Sequence, residues 1–255
     1  MTSLAWRDVR VRYKQSLLGA AWAVMVPLSM MLLFTFVFTR AVDISGSLRT
    51  SMPYALYAFT GLVPWTWWSS SLSACVNSLV ANRALVTKVY FPREAFPLSC
   101  VLAASVDFCI AIGVVFALAA YFHATGTWRF EPGIELLLLP LACVIQALLS
   151  VGVGMLLAVG NLFYRDVRQI TAVGLQLLMF VSDVVVPAPG GSGPAHFLAA
   201  INPLVPIMGA YRAALGGDPA PGAWALGYAA VVSVVAACAG LRVFRRSAHR
   251  FAELA

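Results

Sequence analysis

Apolar positions in this chain come in long unbroken blocks rather than alternating with polar ones. No charged residue occurs over the 24 residues from Ser16 to Thr39, and a second uncharged run extends from Thr50 to Asn82. About 20 apolar residues carry a helix across a bilayer, so blocks of this length predict membrane spans. Six are expected, at about 18–39, 54–81, 96–122, 136–163, 171–186 and 223–241. The chain therefore reads as an all-α integral membrane protein, with one transmembrane domain over 1–255.

The segments between the blocks have patterns of their own. In residues 1–17, Trp6, Val9, Tyr13 and Leu17 share one helical arc, flanked by Arg7, Arg10, Arg12 and Lys14. This is the pattern of an amphipathic helix lying in the membrane interface, rings at headgroup depth and cations on anionic lipid. A basic flank to a span is the simpler reading. The run that follows exceeds the 7–15 apolar residues of a secretory signal, so the first span is expected to be retained. Residues 82–95 hold Arg83, Lys88, Arg93 and Glu94, and Pro92 and Pro97 keep this stub from merging with the third span. It suits docking onto another protein, or serves as a plain basic connector. Pro64 is expected to break the second span. In the fourth, S-V-G-V-G-M-L-L-A-V-G puts small residues on adjacent turns, which permits close helix contact.

Residues 187–222 begin with the turn-rich P-A-P-G-G-S-G-P. Asn202-Pro203 then predicts a helix start, with Asn as cap and Pro at the first helical position. Leu204, Ile207, Met208, Tyr211 and Leu215 form one apolar face, and Gly216-Gly217 stop the helix. One or two extracytoplasmic half-helices are expected between spans five and six, a natural place for a gate or vestibule.

Composition agrees with the pattern: 61% of residues are hydrophobic and 11% charged, against about a quarter charged in a soluble domain. The net charge of +7 would point to nucleic acid in a soluble protein. Here its distribution matters more. The N-terminal segment, 82–95, 161–169 and the C-terminal tail hold 13 of the 17 Lys and Arg residues. This asymmetry places both termini in the cytoplasm. The five cysteines lie in apolar runs without a CxxC pair and read as reduced packing residues.

Several chemistries find no support. There is no G-x-x-x-x-G-K-[ST] loop for ATP phosphates, no HExxH or metal-ligand cluster among the three histidines, and no G-x-S-x-G elbow. Only Asp107 and Asp183 are acidic residues within spans, fewer than an ion-coupled carrier usually needs. Energy is expected from elsewhere. The aromatics of the second span, from Tyr54 to Trp68, suit an interfacial belt; they suit a stacking surface for sugar rings as well.

Four stretches carry a family resemblance: L-A-W-R-D-V-R-V-R-Y-K-Q-S-L-L-G-A-A-W at the start, V-Y-F-P-R-E-A-F-P, N-L-F-Y-R-D-V-R-Q-I and I-N-P-L-V-P-I-M-G-A-Y-R. Their order resembles the permease of type-2 ABC exporters, in the branch that exports O-antigen, capsule and teichoic acid polysaccharides across the bacterial inner membrane. The resemblance implies a homodimer with the channel between its copies and two copies of a separate ATPase subunit. That subunit would bind ATP and Mg, and this chain would hold no cofactor and no nucleic acid. Lys88, Val89, Tyr90, Phe91, Pro92, Arg93 and Glu94 would form the coupling helix. Asn202, Pro203, Tyr211 and Arg212 would belong to the exit gate, and Phe34, Phe38, Tyr57, Phe59, Trp65 and Phe180 would line the channel. A lipid-linked glycan would enter at the cytoplasmic leaflet, its pyrophosphate drawn by Arg7, Arg10, Arg12 and Lys14. A permease for a small lipid, drug or antibiotic is the alternative. A membrane enzyme is disfavoured, because Asp166 and Asp183 fall on opposite sides of the expected topology.

Overall fold

The structure, a computed structural model, describes residues 21–38, 52–82, 93–130, 133–186 and 193–247. The expected interface helix, with Arg7, Arg10, Arg12 and Lys14, lies outside these residues, as do Lys88, Val89, Tyr90, Phe91 and Pro92. Within them the chain is helical, with no strand: α1 (Trp22–Phe36), α2 (Tyr54–Ala81), α3 (Ala95–Ala124), a 3-10 turn (Ile134–Leu137) running into α4 (Leu138–Phe163), α5 (Asp166–Val181), α6 (Pro194–Ile201), α7 (Leu204–Ala214) and α8 (Ala223–Ser247). Ala95–Ala124, Ile134–Phe163 and Ala223–Ser247 are long and apolar enough to cross a membrane, and α1 is a shorter apolar helix.

Helix α2 is the axis of the bundle. It packs against α1, α3, α4, α5 and α7 and is buried on nearly every side, which its lack of charge over 28 residues allows. The expected break at Pro64 does not occur; α2 runs through it. Proline removes one backbone donor, and in a bundle neighbouring helices take over the polar groups this disturbs. The carbonyl so deprived is that of Thr60, one turn earlier; beside the proline, the fully buried Gln146 of α4 donates from Nε2 to the Pro64 carbonyl at 2.7 Å and ties α4 to α2.

The helix found where the fifth span was expected also differs from the bounds of 171–186. Helix α5 starts five residues earlier, at Asp166, and stops at Val181. Its start lies in the charged stretch because an acid in the first turn suits the positive end of a helix. The chain leaves α4 by a short turn, in which the Val167 amide donates to the Tyr164 carbonyl at 3.1 Å. Residues 182–186 are left as an irregular hook rather than helix. Helix α8 outruns its expected end at 241 and carries Arg242, Arg245 and Arg246 on its last turns. Two short helices, α6 and α7, occupy the region where half-helices were expected.

The bundle has two unlike ends. At one end the C-terminal ends of α2, α4 and α8 meet the starts of α3 and α5. Asn161 donates to the Val76 carbonyl at 2.8 Å and the Cys75 thiol donates to the Pro97 carbonyl at 3.3 Å, over a small core of Leu79, Phe96, Met155 and Phe244. Among the described cations, Arg93, Arg165, Arg168, Arg242, Arg245 and Arg246 belong to this end. The other end holds the start of α2, the hook and α7, over the larger core.

The tightest helix pair is α4 with α8, and the small-residue run of α4 explains it. A Cβ added at Gly152 would fall on the backbone of Ala236 and Ala237, and one at Gly240 on the carbonyl of Gly152. The two backbones touch because neither residue has a side chain. Gly227, also on α8, faces open space. Gly152→Ala is therefore expected to lower stability by about 1–3 kcal/mol through overpacking. The same change at Gly227 is expected to raise it by about 0.5–1 kcal/mol, because alanine is the better helix former. Unfolding midpoints of the two variants in detergent check the opposite signs.

Candidate functional site

Helix α7 is set by its first residues. The Asn202 side chain accepts the Leu204 amide at 3.0 Å and donates to the Ser182 hydroxyl at 2.9 Å. One residue thus starts the helix and ties it to the hook. Pro203 follows at φ −66°, already in helical conformation. Helix α7 then lays Leu204, Ile207, Met208 and Tyr211 into the core. Tyr211 donates to the Cys143 sulfur of α4 at 3.4 Å and meets the Phe108 ring edge-on, 6.0 Å between centroids.

The next residue, Arg212, carries its charge into the same core with no exposed surface. Nη1 donates to the Asp183 carboxylate at 2.8 Å, and Nη2 donates to the carbonyls of Asp183 and Val184. The guanidinium lies 3.7 Å above the centre of the Tyr57 ring, and the Tyr57 hydroxyl donates to the other Asp183 oxygen at 2.8 Å. Tyr54 closes the cluster by donating to the Val185 carbonyl at 3.1 Å. Asp183 stands at φ +56°, a left-handed conformation that aspartate tolerates better than most residues. Gly61 makes the approach possible, since a Cβ there would collide with the Val184 carbonyl and sit 2.9 Å from Arg212 Nη2. Helix α2, the hook and α7 are thus joined through one buried ion pair, in which both Arg212 Nη atoms are hydrogen-bonded and Arg212 Nε is buried without a partner.

A row of rings leads to this knot. Phe34 and Phe38 are 6.1 Å apart, Phe38 and Tyr54 5.9 Å, and Tyr54 and Tyr57 6.3 Å between centroids. Beyond Tyr57 opens a cavity of about 620 Å³, walled by the end of α6, the first half of α7, the turn after it and the start of α8. At the other end of the bundle Arg165 and Arg168, with Asn77 and Asn161, line a smaller cavity of about 350 Å³.

The residues singled out from sequence are scattered by this arrangement. Phe59 and Trp65 are interior to the single chain and have little surface to offer a path between copies. Phe34 and Phe38 are half-buried, Phe180 is exposed, and Tyr57 reaches the larger cavity. Of the four residues expected at the gate, Asn202, Tyr211 and Arg212 are buried and Pro203 is half-buried. Arg93 and Glu94 stand just ahead of α3, where Glu94 accepts from Arg245 at 3.1 Å. That pair is exposed on the arginine side and worth about 0–1 kcal/mol. The pairing of Arg212 with Asp183 was not among the expectations, which gave Arg212 to the exit gate and Asp183 to the fifth span without joining them. The signal was present, because Arg212 adjoins the apolar spacing of α7 and Asp183 ends an uncharged run. Trp224 and Asp218, which line the larger cavity, were missed without such a signal.

Removing one partner of a buried ion pair strands the other charge, at a cost of about 3–5 kcal/mol. Asp183→Asn keeps a residue suited to the left-handed backbone and isolates this effect. The variant is expected to lose stability by that amount in detergent unfolding, and adding Arg212→Met is expected to recover most of it. A wild-type midpoint for Asp183→Asn alone contradicts the assigned role.

Comparison with known proteins places this geometry. The sequence matches the ABC-2 type transporter family over residues 1–215. It is 27% identical over 252 residues to the O-antigen export system permease protein RfbA of Klebsiella pneumoniae, covering 97% of this chain and 92% of that one. Against the protein of the same name from Myxococcus xanthus it is 28% identical over 256 residues, covering 99% and 94%. The polysialic acid transport protein KpsM of Escherichia coli is 24% identical over 246 residues, covering 95% and 91%. A family match over most of the chain, on a helical bundle with apolar spans, leads to one conclusion: the chain belongs to the ABC-2 type transporter family.

Proposed function

We infer that this chain is the permease subunit of an ABC exporter that moves a polysaccharide, carried on a lipid, across the bacterial inner membrane. The observation that carries this reading is similarity along nearly the whole chain to permeases named for O-antigen export and for polysialic acid transport. The chain would cross the membrane six times with both termini cytoplasmic. On this reading the end of the bundle rich in arginine faces the cytoplasm, and the end with the Arg212 knot faces outward.

Two copies would enclose the path. Helix α5 favours this arrangement, because only Leu175 along it is buried while Ile170, Leu177 and Phe180 are exposed. Phe180, Phe34 and Phe38 are then the aromatics with surface to give to the channel, and Tyr57 stands at its outer mouth. Rings suit a sugar chain because they offer contact without fixed hydrogen bonds, so successive residues slide past. The carrier pyrophosphate would meet cations at the cytoplasmic face: Arg7, Arg10, Arg12 and Lys14 of the interface helix, with Arg165 and Arg168 beside the smaller cavity.

A separate ATPase, two copies per dimer, would bind ATP and Mg and close upon them. The segment Lys88–Glu94 would seat in it and pass the motion to α2 and α3. Opening the exit then requires α7 to part from the hook, so the Arg212–Asp183 contact holds the closed state until the ATPase acts. Because the pair is buried and well hydrogen-bonded, thermal motion alone separates it rarely.

Phe91→Asp places a charge in the proposed docking segment. It is expected to abolish the rise in ATP hydrolysis that a lipid-linked glycan induces in the reconstituted complex, while the permease inserts in the membrane in normal amount. Wild-type stimulation by this variant contradicts the assignment of the coupling segment.

A further inference from the structure

The 620 Å³ cavity at the knot end has a lining unlike the rest of the protein. Its walls are mainly alanine, proline and glycine, which present C–H groups and backbone. Its polar features are Asp183 and Asp218, and its rings are Tyr57, Trp224 and Tyr228. Trp224 is 93% exposed on the first turn of α8. Tyr228, one turn on, is held by donating to the Ile201 carbonyl at 2.8 Å. No arginine, lysine or histidine lines the cavity among the described residues. The two carboxylates differ. Asp183 is neutralised by Arg212 and keeps 16% of its side chain exposed, whereas Asp218 makes no hydrogen bond or ion pair among the described residues. The cavity therefore carries net negative charge.

We propose that this cavity is a binding site for one or two sugar rings of the exported chain, and that it selects neutral or amine-bearing sugars over acidic ones. The proposal rests on the polysaccharide-export reading and deepens it by naming the substrate class. A pyranose offers an apolar C–H face and a rim of hydroxyls. The face lies against an indole, and the hydroxyls donate to carboxylate oxygens in charge-assisted hydrogen bonds. The volume falls within the range of small-ligand sites. A tryptophan at a span end ordinarily anchors in the headgroup layer; here it borders a cavity that holds two carboxylates, an arrangement that anchoring does not require. Uronic, sialic and phosphorylated sugars would bring like charge to Asp218 and be rejected.

The test uses the full-length permease in lipid nanodiscs at low salt, titrated with a neutral manno-oligosaccharide or with oligosialic acid while tryptophan fluorescence is followed. The neutral probe is expected to bind about tenfold more tightly than the acidic one, with the gap narrowing as salt screens the charge. Trp224→Ala should weaken neutral binding by about tenfold. Asp218→Asn should shrink the discrimination by improving binding of oligosialic acid. Trp224 is exposed and Asp218 unpaired, so both variants are expected to fold as the parent does. Equal or tighter binding of oligosialic acid, no binding of either probe, or an unchanged affinity in Trp224→Ala overturns the proposal. Failure of the export reading shows separately, as a complex whose ATP hydrolysis no lipid-linked glycan stimulates.

Discussion

A guanidinium with no access to water is the constraint around which the knot end of this protein is arranged. Arg212 is acceptable in an apolar core only because a carboxylate, two carbonyls and an aromatic face meet it together. Each partner then places a demand on its own element. Asp183 must leave α5 and take a left-handed backbone. Gly61 must lack a side chain. Tyr57 must stand on α2 one turn before that glycine, and Asn202 must start α7 at the right place. A buried ion pair contributes little net stability compared with a well-packed apolar substitute. What it does supply is a single arrangement of three elements that cannot relax by degrees. On the proposed reading, that is the property a closed exit needs.

The two ends of the bundle differ in chemistry. The arginine-rich end suits anionic lipid and a carrier phosphate, and it adjoins the segment that meets the ATPase on the proposed reading. The knot end offers rings and carboxylates, groups that suit uncharged sugar. Between them, α4 and α8 are clamped backbone to backbone at Gly152 and Gly240, which makes this pair the rigid wall. Helix α5 has little of its surface buried in one chain, and on the proposed reading a second copy would cover it.

Much of this was legible in the sequence because it follows from local rules. Uncharged runs indicate long helices, and for α2 the helix limits Tyr54–Ala81 are those expected. Asn202-Pro203 announced α7, and the small residues of the fourth span announced its close pairing. The errors came where tertiary partners override local preference. Pro64 did not break α2, because a bundle supports a proline that an isolated helix would not. The fifth span shifted because an acidic first turn and the left-handed Asp183 set its limits, and hydropathy is blind to both. The knot stayed hidden because its two signs, a cation beside an apolar face and an acid ending an uncharged run, lie 29 residues apart, and only the fold makes them neighbours. Phe59 and Trp65 looked equivalent to Tyr57 by composition, yet differ from it in whether they reach a cavity.

On the proposed reading this chain is a closed conduit driven by a separate ATPase subunit. Translocation of a fluorescent lipid-linked glycan into liposomes tests it directly, comparing the permease alone, the permease with its ATPase and no nucleotide, and the complete system with ATP. Movement only in the last case is the predicted result. Glycan that crosses with the permease alone contradicts the claim, because the exit would then open without the work that the buried Arg212–Asp183 contact is held to require.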